Sequence, residues 1–129
     1  MAMAARSRTR IDRQRIGSQA EDRAARLLLQ AGYRIVARNY RCRMGEIDLI
    51  AQRADILVIV EVRVRSYVNF GGAAASITAA KQLRLIRTTQ HLLAQRTPLQ
   101  RLAVRFDVIL INGAGSAASL EWIEDAFST

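Results

Sequence analysis

The residues best suited to chemistry are acids on either side of a chain reversal. The segments Glu46–Arg53 and Ile56–Arg65 each carry apolar residues in a strand-like pattern, and only Ala54-Asp55 separates them. That is hairpin spacing, although Ala-Asp is not an ideal two-residue turn. With Arg53 paired to Ile56, Asp48 faces Glu61 and Glu46 faces Arg63, and alternation puts all four on one face of the sheet. The rest of that face is Ile50, Leu57 and Ile59, and the other face is Ile47, Leu49, Val58, Val60, Val62 and Val64. A hairpin of this kind is covered on both sides, with its charges gathered at the open end.

Facing residues in an antiparallel pair stand only about 4.5–5.5 Å apart at Cα, and opposed like charges there are destabilising. Two carboxylates so placed call for a shared proton or a cation. A divalent ion answers this economically: Mg²⁺ is commonly held by one or two carboxylates, with waters and substrate phosphates completing its shell. In phosphodiester hydrolysis such an ion, Mg²⁺ or Mn²⁺, activates water and stabilises developing charge. The alternative is structural, with Asp48 paired to an Arg from elsewhere and Glu46–Arg63 an ordinary cross-strand ion pair. A register slip of one residue would undo the arrangement.

Other reactive side chains are fewer. Glu21 has two readings: lying beside Ala24, Ala25 and Leu28 it points toward the sheet, or it closes a capping box, Ser18-Gln19-Ala20-Glu21, by bonding the Ser18 N–H. Asp107 shares a strand face with Arg105 and reads as half of a structural ion pair. His91, late in a helix, reads as interfacial or exposed, and Cys42 has no identifiable activating partner. Gly71-Gly72 lacks the spacing of a phosphate-binding loop. The surrounding segment, with Tyr67 and Phe70, reads either as a flexible flap able to touch nucleic acid or as a buried aromatic plug.

The elements that must position these residues follow from periodicity and breakers. Residues 1–15 read as a flexible Arg-rich arm, and 16–129 as a single domain. A helix spans Ser18–Ala31, stopped by Gly32, and a short strand spans Tyr33–Ala37. A basic loop over residues 38–45 precedes the hairpin. Ser76 caps a helix of about 18 residues with Ile77, Ala80, Leu85, Ile86, Leu92 and Leu93 on or near its apolar side. After Pro98 comes a strand, Ala103–Asn112, and then a small-residue loop and a short apolar stretch around Trp122. The order is α-β-β-β-α-β, an α/β domain with a small mixed sheet flanked by helices.

The chain has 129 residues with 20 basic side chains against 11 acidic, a net charge of +9. Half the residues are apolar, which excludes a disordered basic tail. No apolar run reaches the ~18 residues of a membrane span, and the opening residues do not form a signal peptide. One cysteine excludes an internal disulfide and a cysteine-cluster metal site, consistent with a reducing, cytoplasmic setting. The charge favours a polyanionic partner, foremost nucleic acid, over an acidic membrane. Of the 20 basic residues only Lys81 is Lys, leaving 19 Arg.

Four segments together carry a resemblance: Gly45-Glu46-Ile47-Asp48-Leu49-Ile50, Val60-Glu61-Val62-Arg63-Val64-Arg65, Lys81-Gln82-Leu83-Arg84-Leu85 and Arg105-Phe106-Asp107-Val108-Ile109. The chain from about Gly17 to Phe127 resembles the YraN-like family of bacterial proteins, placed in the PD-(D/E)XK nuclease superfamily and distantly similar to archaeal Holliday-junction resolvases. The resemblance implies a restriction-endonuclease-like core and metal-dependent cleavage of structured or branched DNA. It makes Asp48 and Glu61 the metal ligands, with Glu21 contributed by the first helix. Position 63, where the superfamily places a Lys, is Arg63 here. Arg keeps the charge and grips phosphate bidentately but stays protonated and cannot act as a base. Two explanations stand: the chain's general use of Arg, or activity lost or moved. Some superfamily members carry the working Lys on the following helix, which gives Lys81 a catalytic reading beside that of a solvated helix charge.

The expectation is therefore an Mg²⁺- or Mn²⁺-dependent endonuclease with Asp48, Glu61, Arg63 and Lys81 at its centre. Arg41, Arg43, Arg65 and Arg84 would contact DNA, and a homodimer is an analogy with the resolvases. The alternative is an inactive nucleic-acid-binding module on the same fold, and a third reading is a structural basic protein whose ion pairs are internal.

Overall fold

The computed structural model describes residues 10–65, 77–113 and 119–129. The elements are α1 (Arg10–Gln30), β1 (Arg34–Cys42), β2 (Gly45–Arg53), β3 (Ile56–Arg65), α2 (Ala79–Gln95), β4 (Ala103–Asn112) and β5 (Ser119–Phe127), with a 3₁₀ turn at Thr97–Leu99. The strands form one five-stranded sheet in sequential order. Only β3 and β4 run parallel, because α2 carries the chain back between them; the other neighbours are antiparallel. This is the mixed α/β architecture expected, with a helix on each face.

α1 buries Ala24, Ala25 and Leu28 against Leu49, Ala51, Val58, Val60 and Ile109. It ends where expected. Gly32 has φ +92°, and Gly32 N–H→Leu29 O (3.0 Å) with Tyr33 N–H→Leu28 O (3.0 Å) closes a Schellman motif. α2 covers the other face, with Leu85 and Leu92 among Ile47, Ile50, Leu57, Ile59 and Phe106. The central strand β3 is thus apolar on both sides over Leu57–Val60, as a doubly covered strand must be.

Several expectations are corrected. α1 starts at Arg10, so residues 10–15, assigned to the arm, have helical backbone; residues 1–9 lie outside the described residues. Ser18 is consequently inside the helix, and the capping box with Glu21 does not form. The basic loop expected over 38–45 is mostly strand, since β1 continues to Cys42 and only Arg43-Met44 turns the chain. Its polar residues concealed this, because an edge strand leaves alternate side chains in water. β5, expected only as an apolar stretch, is a second such edge strand, with a register shift opposite Phe106 and Val108.

The cap of α2 is Thr78, whose hydroxyl accepts from the Lys81 N–H at 3.1 Å; Ser76, Tyr67, Phe70 and Gly71-Gly72 lie outside the described residues. Ala80 is exposed, not apolar-facing. The Ala54-Asp55 turn is real and puts Ala54 at φ +53°, a left-handed conformation that costs a non-glycine residue about 1 kcal/mol.

Candidate functional site

The hairpin register is as expected from Arg53↔Ile56 to Leu49↔Val60. There the ladder ends. β2 remains paired with β1 through Ile47, Glu46 and Gly45, while β3 goes on beside β4. The strands part at Asp48, and strict alternation breaks with them: Ile47 packs on the α2 side with Ile50, whereas Leu49 packs on the α1 side. Ile47 was expected beside Leu49.

Asp48 does not continue the ladder opposite Glu61. Its Oδ2 accepts the Val62 N–H at 2.8 Å, so a side chain takes the place of the missing strand carbonyl. Burial and the Glu61 charge push the Asp48 carboxyl up to about 7, with Glu21 and Glu46 adding to the rise and the Val62 hydrogen bond opposing it. Three further acids of a basic protein thus bear on the Asp48 carboxyl.

Glu61 is buried, and its Oε2 lies 3.1 Å from Lys81 Nζ. The chain's single lysine thus reaches the acids from the first turn of α2, its backbone held by the Thr78 cap. Arg63 follows Glu61 by two residues on β3 and pairs in register with Leu110. Glu46 sits opposite Arg41 on β1, with Arg41 Nε 3.7 Å from Glu46 Oε2, rather than in a ladder position facing Arg63. Arg43 and Arg84 are exposed, and the Arg65 side chain lies outside the described residues.

Glu21 points toward the sheet. It accepts from Asn39 Nδ2 at 3.0 Å and stands 3.8 Å from Arg38. With Gly17, Ser18, Asn39, Arg41 and Glu46 it lines a groove of about 330 Å³. Asn39 escaped notice in the sequence; it holds φ +52° in β1, and only asparagine's tolerance of that conformation hints at its place. Gly45, expected to end a basic loop, opens β2 instead. Its φ is +148°, and a Cβ there would meet Thr88 Oγ1 at 3.1 Å and Arg84 Cβ at 3.7 Å. Glycine is what lets the start of β2 lie directly on α2.

Among the described residues no three His, Cys, Asp or Glu side chains group closely enough to hold a metal ion, so Glu21 is not brought together with Asp48 and Glu61. Asp48 and Glu61 offer two crowded carboxylates, which fits a hard cation that draws its other ligands from water and phosphate.

Asp107 is structural, as expected. Both its oxygens take Arg105 (2.9 and 2.8 Å), and Trp122 Nε1 and the Asp125 N–H add bonds of 2.9 Å each. His91 is interfacial: its Nδ1 lies 2.6 Å from the Tyr40 hydroxyl across the α2–β1 contact. Cys42 is a free thiol.

Residues 20–111 match the model of a family described as "Uncharacterised protein family UPF0102". The chain belongs to UPF0102. The UPF0102 match spans β1 to β4 and all the acids discussed. A UPF0102 protein of Methylobacillus flagellatus is 49% identical over 113 residues, covering 88% of this chain and 96% of its own. One from Nitrosomonas europaea is 53% identical over 111 residues, covering 86% and 92%. Another, from Dechloromonas aromatica, is 51% identical over 112 residues, covering 87% and 88%. UPF0102 membership thus confirms the YraN-like resemblance. Among the described residues no helix is long and apolar enough to cross a membrane.

Proposed function

We propose that the protein is a metal-dependent endonuclease hydrolysing phosphodiester bonds of structured or branched DNA, with Asp48 and Glu61 holding Mg²⁺ or Mn²⁺. The observation that carries this reading is the convergence of Asp48, Glu61 and Lys81, with the Asp48 carboxyl held up near 7 by burial and by Glu61. A buried acid perturbed by a second acid beside it is a mark of function. When bound, the ion supplies an acidified water and positive charge against the phosphate. Lys81 pairs with Glu61 and places a cation beside it. Arg63 offers a permanent, bidentate grip on phosphate but no base. The net charge of +9 supports a polyanionic substrate, and branched DNA comes from the YraN-like resemblance.

A second reading, a non-catalytic nucleic-acid-binding module, is favoured by one observation: Lys81 already neutralises Glu61 at 3.1 Å. The experiment titrates Mg²⁺ or Mn²⁺ and follows cleavage of supercoiled, flapped and four-way DNA by wild type and Asp48→Asn. Metal-dependent cleavage abolished by the substitution is expected. Absence of metal binding, with Asp48→Asn behaving as wild type, would sink the catalytic reading and leave the binding module. Cleavage should also respond to Arg63→Lys: a sharp rise marks Arg63 as a lesion, a fall as a working adaptation.

A further inference from the structure

Lys81 and Glu61 meet on unequal terms. The Glu61 side chain is 11% exposed and that of Lys81 38%, so the acid is fixed within the fold while the ammonium stands at the edge of the water. The start of α2 is held firmly around it. The Thr78 hydroxyl accepts the Lys81 N–H at 3.1 Å, the Thr78 carbonyl accepts the Gln82 N–H at 2.9 Å, and Gln82 Nε2 donates to the Ile77 carbonyl at 2.9 Å. Any movement of the Lys81 charge therefore falls on its side chain and not on the helix. Elsewhere among the described residues ion pairs are made by arginine, as in Arg38–Asp22 at 2.7 Å and Arg105–Asp107 at 2.8 Å. A guanidinium grips a carboxylate with a rigid fork, whereas an ammonium is a compact point charge on a flexible stem. The pairing at Glu61 is the one built to come apart.

A divalent ion held by Asp48 and Glu61 would bring two charges to a carboxylate that Lys81 already contacts at 3.1 Å. Cations sharing one carboxylate repel, and at a buried acid that repulsion is weakly screened. Glu61 cannot retreat, so the group that gives way is Lys81. An ammonium so released is a suitable point charge for phosphate, and the exposed Arg84 lies one helical turn further along α2. We infer that Lys81 is a placeholder for the metal: it neutralises Glu61 until a divalent cation binds, is then displaced from that carboxylate, and passes to the substrate phosphate. The inference rests on the metal-dependent reading above and adds how that site is kept neutral and then set for its substrate. It also gives the 3.1 Å contact a place in a working site. The coupling is reciprocal: whatever Lys81 takes from the affinity for the ion, the ion takes from the Lys81–Glu61 contact.

The test exploits the single lysine of the chain: carbon-13 lysine labelling gives one Cε signal, which belongs to Lys81 without further assignment. Added Mg²⁺ should move that signal toward the position of an unpaired lysine, which it should hold from the outset in Glu61→Gln. A short DNA duplex added after Mg²⁺ should move it again. Calorimetric titration should show Mg²⁺ binding to Lys81→Met about fivefold more tightly than to wild type. Lys81→Arg, which keeps the charge and adds the fork, should bind Mg²⁺ no more tightly than wild type. Circular dichroism checks the fold of each variant, and the lysine signal decides the case on the unaltered chain even where a variant fails to fold. Mg²⁺ that binds wild type without moving the signal, or that binds a folded Lys81→Met no more tightly, overturns the placeholder and leaves the metal site intact. A signal that Mg²⁺ moves and DNA does not overturns the passage to phosphate. No Mg²⁺ binding by wild type overturns the metal-dependent reading and the placeholder together.

Discussion

The Asp48 carboxylate accepts a hydrogen bond from the Val62 backbone N–H at 2.8 Å, at the point where β2 and β3 cease to pair. This bond stops the hairpin opening at the end where its charges lie, and it holds Asp48 beside Glu61. One oxygen is thereby committed to the fold while the carboxyl as a whole stays hard to ionise.

Asp48→Asn should stabilise the protein above neutral pH. The Asp48 carboxyl is raised from 3.8 to about 7 in the folded state, so between these values the native form binds more protons than the unfolded one. Stability from this group therefore falls as pH rises through that window and stays low above it. Asn keeps an acceptor for Val62 and removes the charge. Thermal melts should show a gain above pH 7, bounded by about 4 kcal/mol at 1.4 kcal/mol per unit, and none below pH 4. If the gain is the same at every pH, the carboxyl is not perturbed as described.

Added Mg²⁺ or Mn²⁺ should raise the melting temperature of wild type more at pH 8 than at pH 6, because the proton competes with the metal for Asp48. In Asp48→Asn the increment should shrink at both values. Calorimetric titration of the two proteins provides an independent reading.

Lys81→Met should uncover the Glu61 charge. Lys81 is itself partly exposed and screened, so the expected loss is modest, about 1 kcal/mol. Combined with Glu61→Gln, the loss should be largely recovered, and a double-mutant cycle in urea measures the coupling. A cycle that closes at zero would show the 3.1 Å contact to be energetically idle.

Gly45→Ala should destabilise by about 1–3 kcal/mol through its backbone conformation alone. The contact that the new methyl would make at 3.1 Å from Thr88 Oγ1 adds to this. Urea denaturation of the variant should give a lower midpoint with an unchanged m-value.

Asp107→Ala should cost about 2–3 kcal/mol, since it leaves Trp122 Nε1 and the Asp125 N–H without their acceptor and Arg105 with only Glu124 at 3.4 Å and the Tyr33 hydroxyl. Tryptophan fluorescence should report the altered environment. Metal affinity per folded molecule should not change, because the carboxylate is already fully engaged in the fold.

Local pattern sufficed for the cores of the elements and for the central hairpin register, because burial on both faces demands the apolar runs of β2 and β3 and a two-residue turn leaves one way to pair them. It also marked Asp48 and Glu61 as residues to watch and Asp107 as half of an ion pair, whereas Lys81 stood out only as the single lysine and through the family resemblance. What local pattern could not show is where pairing stops. β1 and β5 are edge strands whose exposed polar residues resemble loop, and the parting of β2 from β3 at Asp48 depends on what each strand pairs with on its other side. Only the tertiary structure brings Lys81 onto Glu61, turns Glu21 away from Ser18 toward Asn39, and seats Gly45 on Thr88. Those contacts join segments 18 to 43 residues apart along the chain, so packing of helices on a sheet creates them and no neighbouring residue encodes them.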